Sequence, residues 1–171
     1  MNTTFWTDLL PETPLGPLAF AVTESGLAAL EFGAGADGLA TRLRERGIPL
    51  APRDEAITGV YNLQIREYLA GTRKTFTFPI DWARLPDFQR RVLQLTFEIP
   101  YGTTRSYGEL AAMLGKPGAA RAVGQAQATN PMPLVIPCHR VIGSDGKLHG
   151  YGGGDGLPTK AWLLQFERER A

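Results

Sequence analysis

Residues 106–130 read SYGELAAMLGKPGAARAVGQAQATN. Ser106, followed three positions on by Glu109, has the form of a capping box, in which hydroxyl and carboxylate each take a backbone N–H of the first helical turn. The helix opened there runs to Gly115, and GKPGA makes a turn that a helix cannot cross. AARAVGQAQATN then reads as a second helix built mainly of small residues. Two short helices on a tight turn, the second with little bulk and a single Arg121, form a helix-turn-helix pattern. Most such hairpins only pack; a minority lay the second helix in a groove of nucleic acid.

Upstream, Phe88, Val92 and Leu95 mark a helix that ends at Ile99-Pro100 and the turn Tyr101-Gly102, with Asp87 as its expected cap. WARLPDF, residues 82–88, reads as a linker because Pro86 biases Leu85 away from helix. The first 35 or so residues alternate apolar with small or polar positions around Ser25-Gly26, which predicts a β-hairpin. GLATRLRERG predicts a short helix ended by Gly47, and Ile57, Val60, Tyr61, Ile65, Tyr68 and Leu69 predict a longer one closed by Gly71. TFTFPID reads as one more short strand. Downstream, the Gly-rich HGYGGGDGLP leads to a C-terminal helix, TKAWLLQFERE. The expected fold is α+β: an N-terminal α/β unit over residues 1–85, with a short antiparallel sheet and helices, then a mostly helical, winged-helix-like unit over residues 86–171.

Composition narrows the function. With 171 residues, 43% hydrophobic and 20% charged, the chain has the make-up of a soluble globular protein, not of a disordered, collagen-like or coiled-coil one. One cysteine excludes an internal disulfide framework and multi-cysteine metal sites, and fits a reduced, cytoplasmic setting. No basic leader or long apolar run predicts export or membrane insertion. Net charge is +1, but residues 1–85 hold 8 basic against 10 acidic side chains and residues 86–171 hold 10 against 7. A phosphate-facing surface, if there is one, is expected in the second half, and ordinary scatter of surface charge gives the same difference equally well.

The chemistry concentrates in residues 130–143, NPMPLVIPCHRVIG. A lone cytosolic cysteine is usually inert and buried. Here three prolines in seven residues stiffen the approach to Cys138, and His139 and Arg140 beside it would favour a thiolate, the arrangement of an activated nucleophile.

PCHRV, Pro137 to Val141, resembles the active-site signature of the O6-alkylguanine-DNA alkyltransferases. Tyr101-Gly102, Ser106-Tyr107, AARAVG at 119–124, Asn130-Pro131, Gly150-Tyr151 and KxWLLxxE from Lys160 to Glu167 follow in the family's order. The resemblance implies a repair protein that moves an alkyl group from O6-alkylguanine, and O4-alkylthymine with it, irreversibly onto Cys138, once per molecule. It implies a Glu167–His139–water–Cys138 relay and a proton or hydrogen bond from Tyr107 to the departing guanine. It assigns DNA contact to Arg105, Ser106, Ala120, Arg121 and Gly124, with the helix in the minor groove and Arg121 filling the stack after base extrusion. Asn130, Val135, Ile136, Pro137, Arg140, Tyr151 and Gly152 would form and support the base pocket. The partner is double-stranded DNA carrying alkylated bases, and the protein is expected to act as a monomer without cofactor or metal, since no His or Cys precedes Cys138 to serve as zinc ligands.

The chain departs from the family pattern in two places. Tyr151 and Lys160 are nine residues apart where the family has seven, which predicts a longer, loosely braced pocket loop; and Gly152 stands where some members carry a serine. Two other readings compete. A lesion-binding module without chemistry would lack the cysteine, and a Cys–His hydrolase has only His139 and His149 to draw on.

Overall fold

The computed structural model describes residues 3–33 and 36–171. The chain divides into two compact units, Met1–Arg84 and Leu85–Ala171.

The first unit is built on an antiparallel sheet in the order β1 (Trp6–Leu10), β2 (Leu18–Thr23), β3 (Gly26–Phe32). The hairpin expected around Ser25-Gly26 is β2–β3; the N-terminal strand β1, pairing Trp6 with Val22 and Leu10 with Leu18, is an addition to it. Residues 1–2 and 34–35 of that expected stretch lie outside the described residues. Every residue of β2 is buried, so both of its faces are covered. Small Ala19 and Ala21 face Leu39 and Leu43 of α1 (Ala36–Glu45), whereas Phe20 meets Tyr61 of α2 (Glu55–Leu69) on the other side. Asp54 caps α2 by accepting from the Ala56 N–H (2.9 Å), and Gly71, at φ 79°, lies just beyond its end.

TFTFPID does not form the expected strand. Phe76 and Phe78 pack on Tyr68 and Tyr61, and the segment meets the sheet where the Leu27 N–H donates to Pro79 O (2.9 Å), Leu27 O accepts the Asp81 N–H (2.8 Å) and the Thr23 hydroxyl donates to Asp81 Oδ2 (2.8 Å). Pro79 has no N–H to extend a ladder.

In the second unit α3 (Asp87–Phe97) begins at Pro86 without a side-chain cap; Asp87, expected to cap it, is its first residue and pairs with Arg90 (2.6 Å). α4 (Tyr107–Met113) and α5 (Ala120–Ala128) form the helix-turn-helix. Val92, Ile99, Leu110, Ala111, Val123, Ala126 and Val141 make the core beneath it. Arg105–Ser106 (β4) runs parallel to Val141–Ile142 (β5), two residues each, joining the entry of α4 to the segment after Cys138. α6 (Leu157–Arg168) opens at Leu157-Pro158, two residues ahead of the expected start, because proline is tolerated in a first turn. None of the described helices is long and apolar enough to cross a membrane.

Candidate active site

The loop leaving α5 is held before it reaches the cysteine. Asn130 Nδ2 donates to Ile136 O (2.9 Å) and Asn130 Oδ1 accepts the Met132 N–H (3.0 Å), so one side chain spans the turn. Inside that turn Leu134 is fully buried at φ 77°, a left-handed conformation that costs a non-glycine residue about 1–3 kcal/mol and persists only where surrounding packing imposes it. Buried Val135 and Ile136 follow, and Pro137 leads into a single 3-10 turn, Cys138–Arg140.

Cys138 is 5% exposed. Burial pushes its thiol up to about 11, although the Asn130 side chain and the Lys160 charge both draw it down. The activated thiolate expected from the sequence is thus replaced by a protonated thiol, because removal from water outweighs what the neighbours return. Ionising it at pH 7 costs about 5 kcal/mol.

His139 is fully buried, with Nε2 2.7 Å from Glu167 Oε1. Burial draws its pKa below the ordinary value, against the opposing pull of Glu167, which makes the ring neutral at pH 7. A neutral imidazole donating through Nε2 has an unprotonated Nδ1, and that atom is buried without a hydrogen-bond partner. His139 therefore presents a base on one nitrogen and is oriented through the other.

Glu167 sits at the centre of this network with no exposed surface. Burial would raise its pKa, but hydrogen bonds from His139 and Arg140 outweigh it and hold the carboxyl well below the usual carboxylate range. Arg140 meets it through Nε (3.1 and 2.9 Å) and Nη2 (2.8 Å), the Gly102 N–H donates to Oε2 (3.0 Å), and Arg140 Nη1 donates to Ile99 O (2.6 Å). Arg140, expected beside the thiol as its activating cation, has its guanidinium committed to Glu167 and Ile99 instead.

The cation that acts on the sulfur is Lys160, to which sequence reasoning assigned no role. It is 0% exposed, and Nζ donates to Val141 O (2.6 Å), His149 O (2.8 Å) and Tyr107 Oη (3.4 Å). Its only sequence signal is its place at the start of KxWLLxxE. Burial pushes it down to about 8, against the Cys138 charge. Burial and the Cys138 charge both raise the Tyr107 phenol above its ordinary value.

Tyr107 lines a groove of about 610 Å3 together with Ala120, Arg121 and Gly124 of α5 and with Asp145 and His149. Arg121 is exposed, and a Cβ on Gly124 would lie 3.8 Å from the Tyr107 ring. Ser106 caps α4 through the reciprocal bonds with Glu109 (2.6 and 3.1 Å), and Arg105 pairs with Glu109 (3.7 Å). The Tyr151 ring stands edge-on to His139 at 6.4 Å. A Cβ on Gly152 would come within 3.4 Å of Ala128 O, so this position hugs the end of α5. The glycine loop carries bracing of its own: the Thr159 hydroxyl accepts the Asp155 N–H (2.9 Å), and the Thr159 side chain fills the space a Cβ on Gly154 would need. Among the described residues no three His, Cys, Asp or Glu side chains gather to hold a metal ion.

Residues 8–82 match the family model of the 6-O-methylguanine DNA methyltransferase ribonuclease-like domain, and residues 87–169 match that of the DNA binding domain of 6-O-methylguanine DNA methyltransferase. The chain is 42% identical over 160 residues to a methylated-DNA–protein-cysteine methyltransferase of Mycobacterium tuberculosis, covering 94% of this chain and 91% of the relative. It resembles the crystal structure of the O6-methylguanine methyltransferase of that organism (TM-score 0.78, 40% identity, 98% and 94% coverage). A second structure from the same organism, in complex with DNA, is similar to the same degree (TM-score 0.78, 39% identity, 98% and 94% coverage).

Proposed function

This chain belongs to the 6-O-methylguanine DNA methyltransferase family, and from that premise we propose that it repairs alkylated duplex DNA by taking the alkyl group of O6-alkylguanine onto Sγ of Cys138. The observation that carries this reading is the arrangement around the sulfur. Cys138 is a held, protonated thiol, followed by a neutral histidine whose free Nδ1 is a base and whose Nε2 is fixed on a buried, ionised carboxylate.

A thiol near 11 is almost wholly protonated at neutral pH, so its proton must leave as the sulfur attacks. Nδ1 of His139 takes that proton through a water, and the imidazolium formed is stabilised by Glu167, which Arg140 and Gly102 hold in place. The S–C bond forms as the C–O6 bond breaks, and the electron pair stays with the guanine. Tyr107 supplies a proton or hydrogen bond to that leaving base. The thioether formed is not cleaved by water under mild conditions, which makes the reaction stoichiometric, one alkyl group per protein molecule.

Reaching O6 inside a duplex requires extruding the nucleotide. The small residues of α5 let the helix lie close in the minor groove, and exposed Arg121 at the groove rim fills the gap left in the stack. Val135, Ile136, Pro137, Tyr151 and Gly152 line or support the pocket, and O4-alkylthymine is a second substrate. The protein acts as a cytoplasmic monomer.

Incubating the protein with a duplex holding one O6-methylguanine and mapping the mass change by peptide tests the reading. One methyl group on Cys138 is expected. Methyl on another residue, or repeated turnover by one molecule, overturns it.

A further inference from the structure

Lysine is among the residues least often fully buried, yet Lys160 has no exposed surface and no carboxylate among its hydrogen-bond partners: two are backbone carbonyls and the third is the phenol oxygen of Tyr107. An ammonium has three N–H donors and no acceptor. All three are used, so wherever Lys160 meets Tyr107 the phenol oxygen is the acceptor. The phenol's own hydrogen must then point away from Lys160. Tyr107 lines the groove beside α5, so the geometry leaves that hydrogen free for a group bound there.

We infer that Lys160 is a positioning residue for the transfer: by donating to Tyr107 Oη it turns the phenol hydrogen toward the bound base and stabilises the phenolate left when that hydrogen is given up. The inference rests on the reading of Tyr107 as the donor to the leaving guanine. In the step itself, Sγ bonds to the alkyl carbon, the C–O6 bond breaks, and the Tyr107 proton passes to the purine. The thiol proton resides on His139, and the phenolate stands beside the ammonium until solvent returns a proton. The need for a cation follows from the surroundings, since burial makes Tyr107 a weaker acid than free tyrosine. Lys160, though drawn down to about 8, still carries its charge at neutral pH.

The test is a double-mutant cycle with Lys160→Met and Tyr107→Phe, read as single-turnover methyl transfer from duplex O6-methylguanine, with thermal melting followed in parallel. Each single change should slow transfer about 100-fold. In the double variant the rate should lie within about threefold of Tyr107→Phe alone. Losses that multiply to about 10,000-fold overturn the inference, because Lys160 would then act without Tyr107, as a purely structural buried cation would. A wild-type protein that leaves Cys138 unmethylated overturns the earlier reading instead.

Should Lys160→Met not fold, the 13Cζ resonance of Tyr107, assigned by its loss in Tyr107→Phe, serves in its place. The titratable and charged groups around this phenol are Lys160, Cys138 and His149, with Arg121 and Asp145 lining the same groove. In a His149→Gln protein the resonance should move as pH passes about 8, where Lys160 loses its proton, and before the thiol titrates near 11. A resonance that stays flat through that range overturns the inference.

Discussion

Replacing Glu167 by Gln changes one atom type at the most enclosed point of the site. The carboxylate is fully buried and accepts from His139 Nε2, Arg140 Nε and Nη2, and the Gly102 N–H, at 2.7 to 3.1 Å. Whichever way the amide is turned, its NH2 faces groups that themselves donate. The Arg140 side chain, 7% exposed, keeps its charge and loses its counter-ion. Breaking a buried pair from one side costs about 3–5 kcal/mol, out of a total folding stability of roughly 5–15 kcal/mol. For a chain of 171 residues that corresponds to a fall in Tm of roughly 6–20 °C. Glu167→Gln should also slow methyl transfer about 100- to 10,000-fold at a temperature where it is folded, because the imidazolium of His139 is no longer stabilised. Differential scanning calorimetry and single-turnover transfer read the two effects. Adding Arg140→Met should recover part of the Tm loss, since the buried charge then has no pair to miss. Because the Glu167 carboxyl is held below its unfolded value, its stabilisation is present above about pH 4.5 and lost as pH falls through the folded value, so the acid slope of wild-type stability should flatten in Glu167→Gln. A Glu167→Gln protein melting within about 2 °C of wild type would refute the reasoning.

Three further outcomes are expected. Arg121→Ala should slow repair in duplex DNA far more than reaction with free O6-benzylguanine, which needs no extrusion, and equal losses on both substrates would remove the stack-filling role. Cys138 is raised from 9.0 to about 11, so its thiol costs the folded state stability as pH rises from 9 to 11, whereas Lys160, lowered from 10.5 to about 8, adds stability as pH rises between 8 and 10.5. Denaturant titrations should therefore show Cys138→Ala gaining up to about 3 kcal/mol relative to wild type between pH 9 and 11, and a constant difference would contradict the buried-thiol assignment. Gly26→Ala, at φ 130° with its Cβ within 2.4 Å of the Pro79 backbone, should destabilise the protein by at least about 2 kcal/mol, measured as a shift in the urea midpoint.

Periodicity, capping and chain stiffness are local, and they were legible in the sequence. The capping box at Ser106, the small-residue helix after GKPGA, the apolar spacing of α2 and the proline-stiffened PCHRV each depend on neighbours a few positions away, and their joint order carried the resemblance to the family. Only the tertiary structure could pair β1 with β2, or turn TFTFPID into an aromatic strap lying on Tyr61 and Tyr68, because a period of two does not say which edge is open or whether a partner can reach it. The same limit applied in the site. Adjacency in sequence placed Arg140 next to the thiol, while the fold turned its guanidinium onto Glu167, 27 positions away, and brought the Lys160 charge of α6 near enough to draw the thiol pKa down. Whether that sulfur is a thiol or a thiolate is decided by how much water reaches it, and burial is a property of the packed chain, not of any stretch within it.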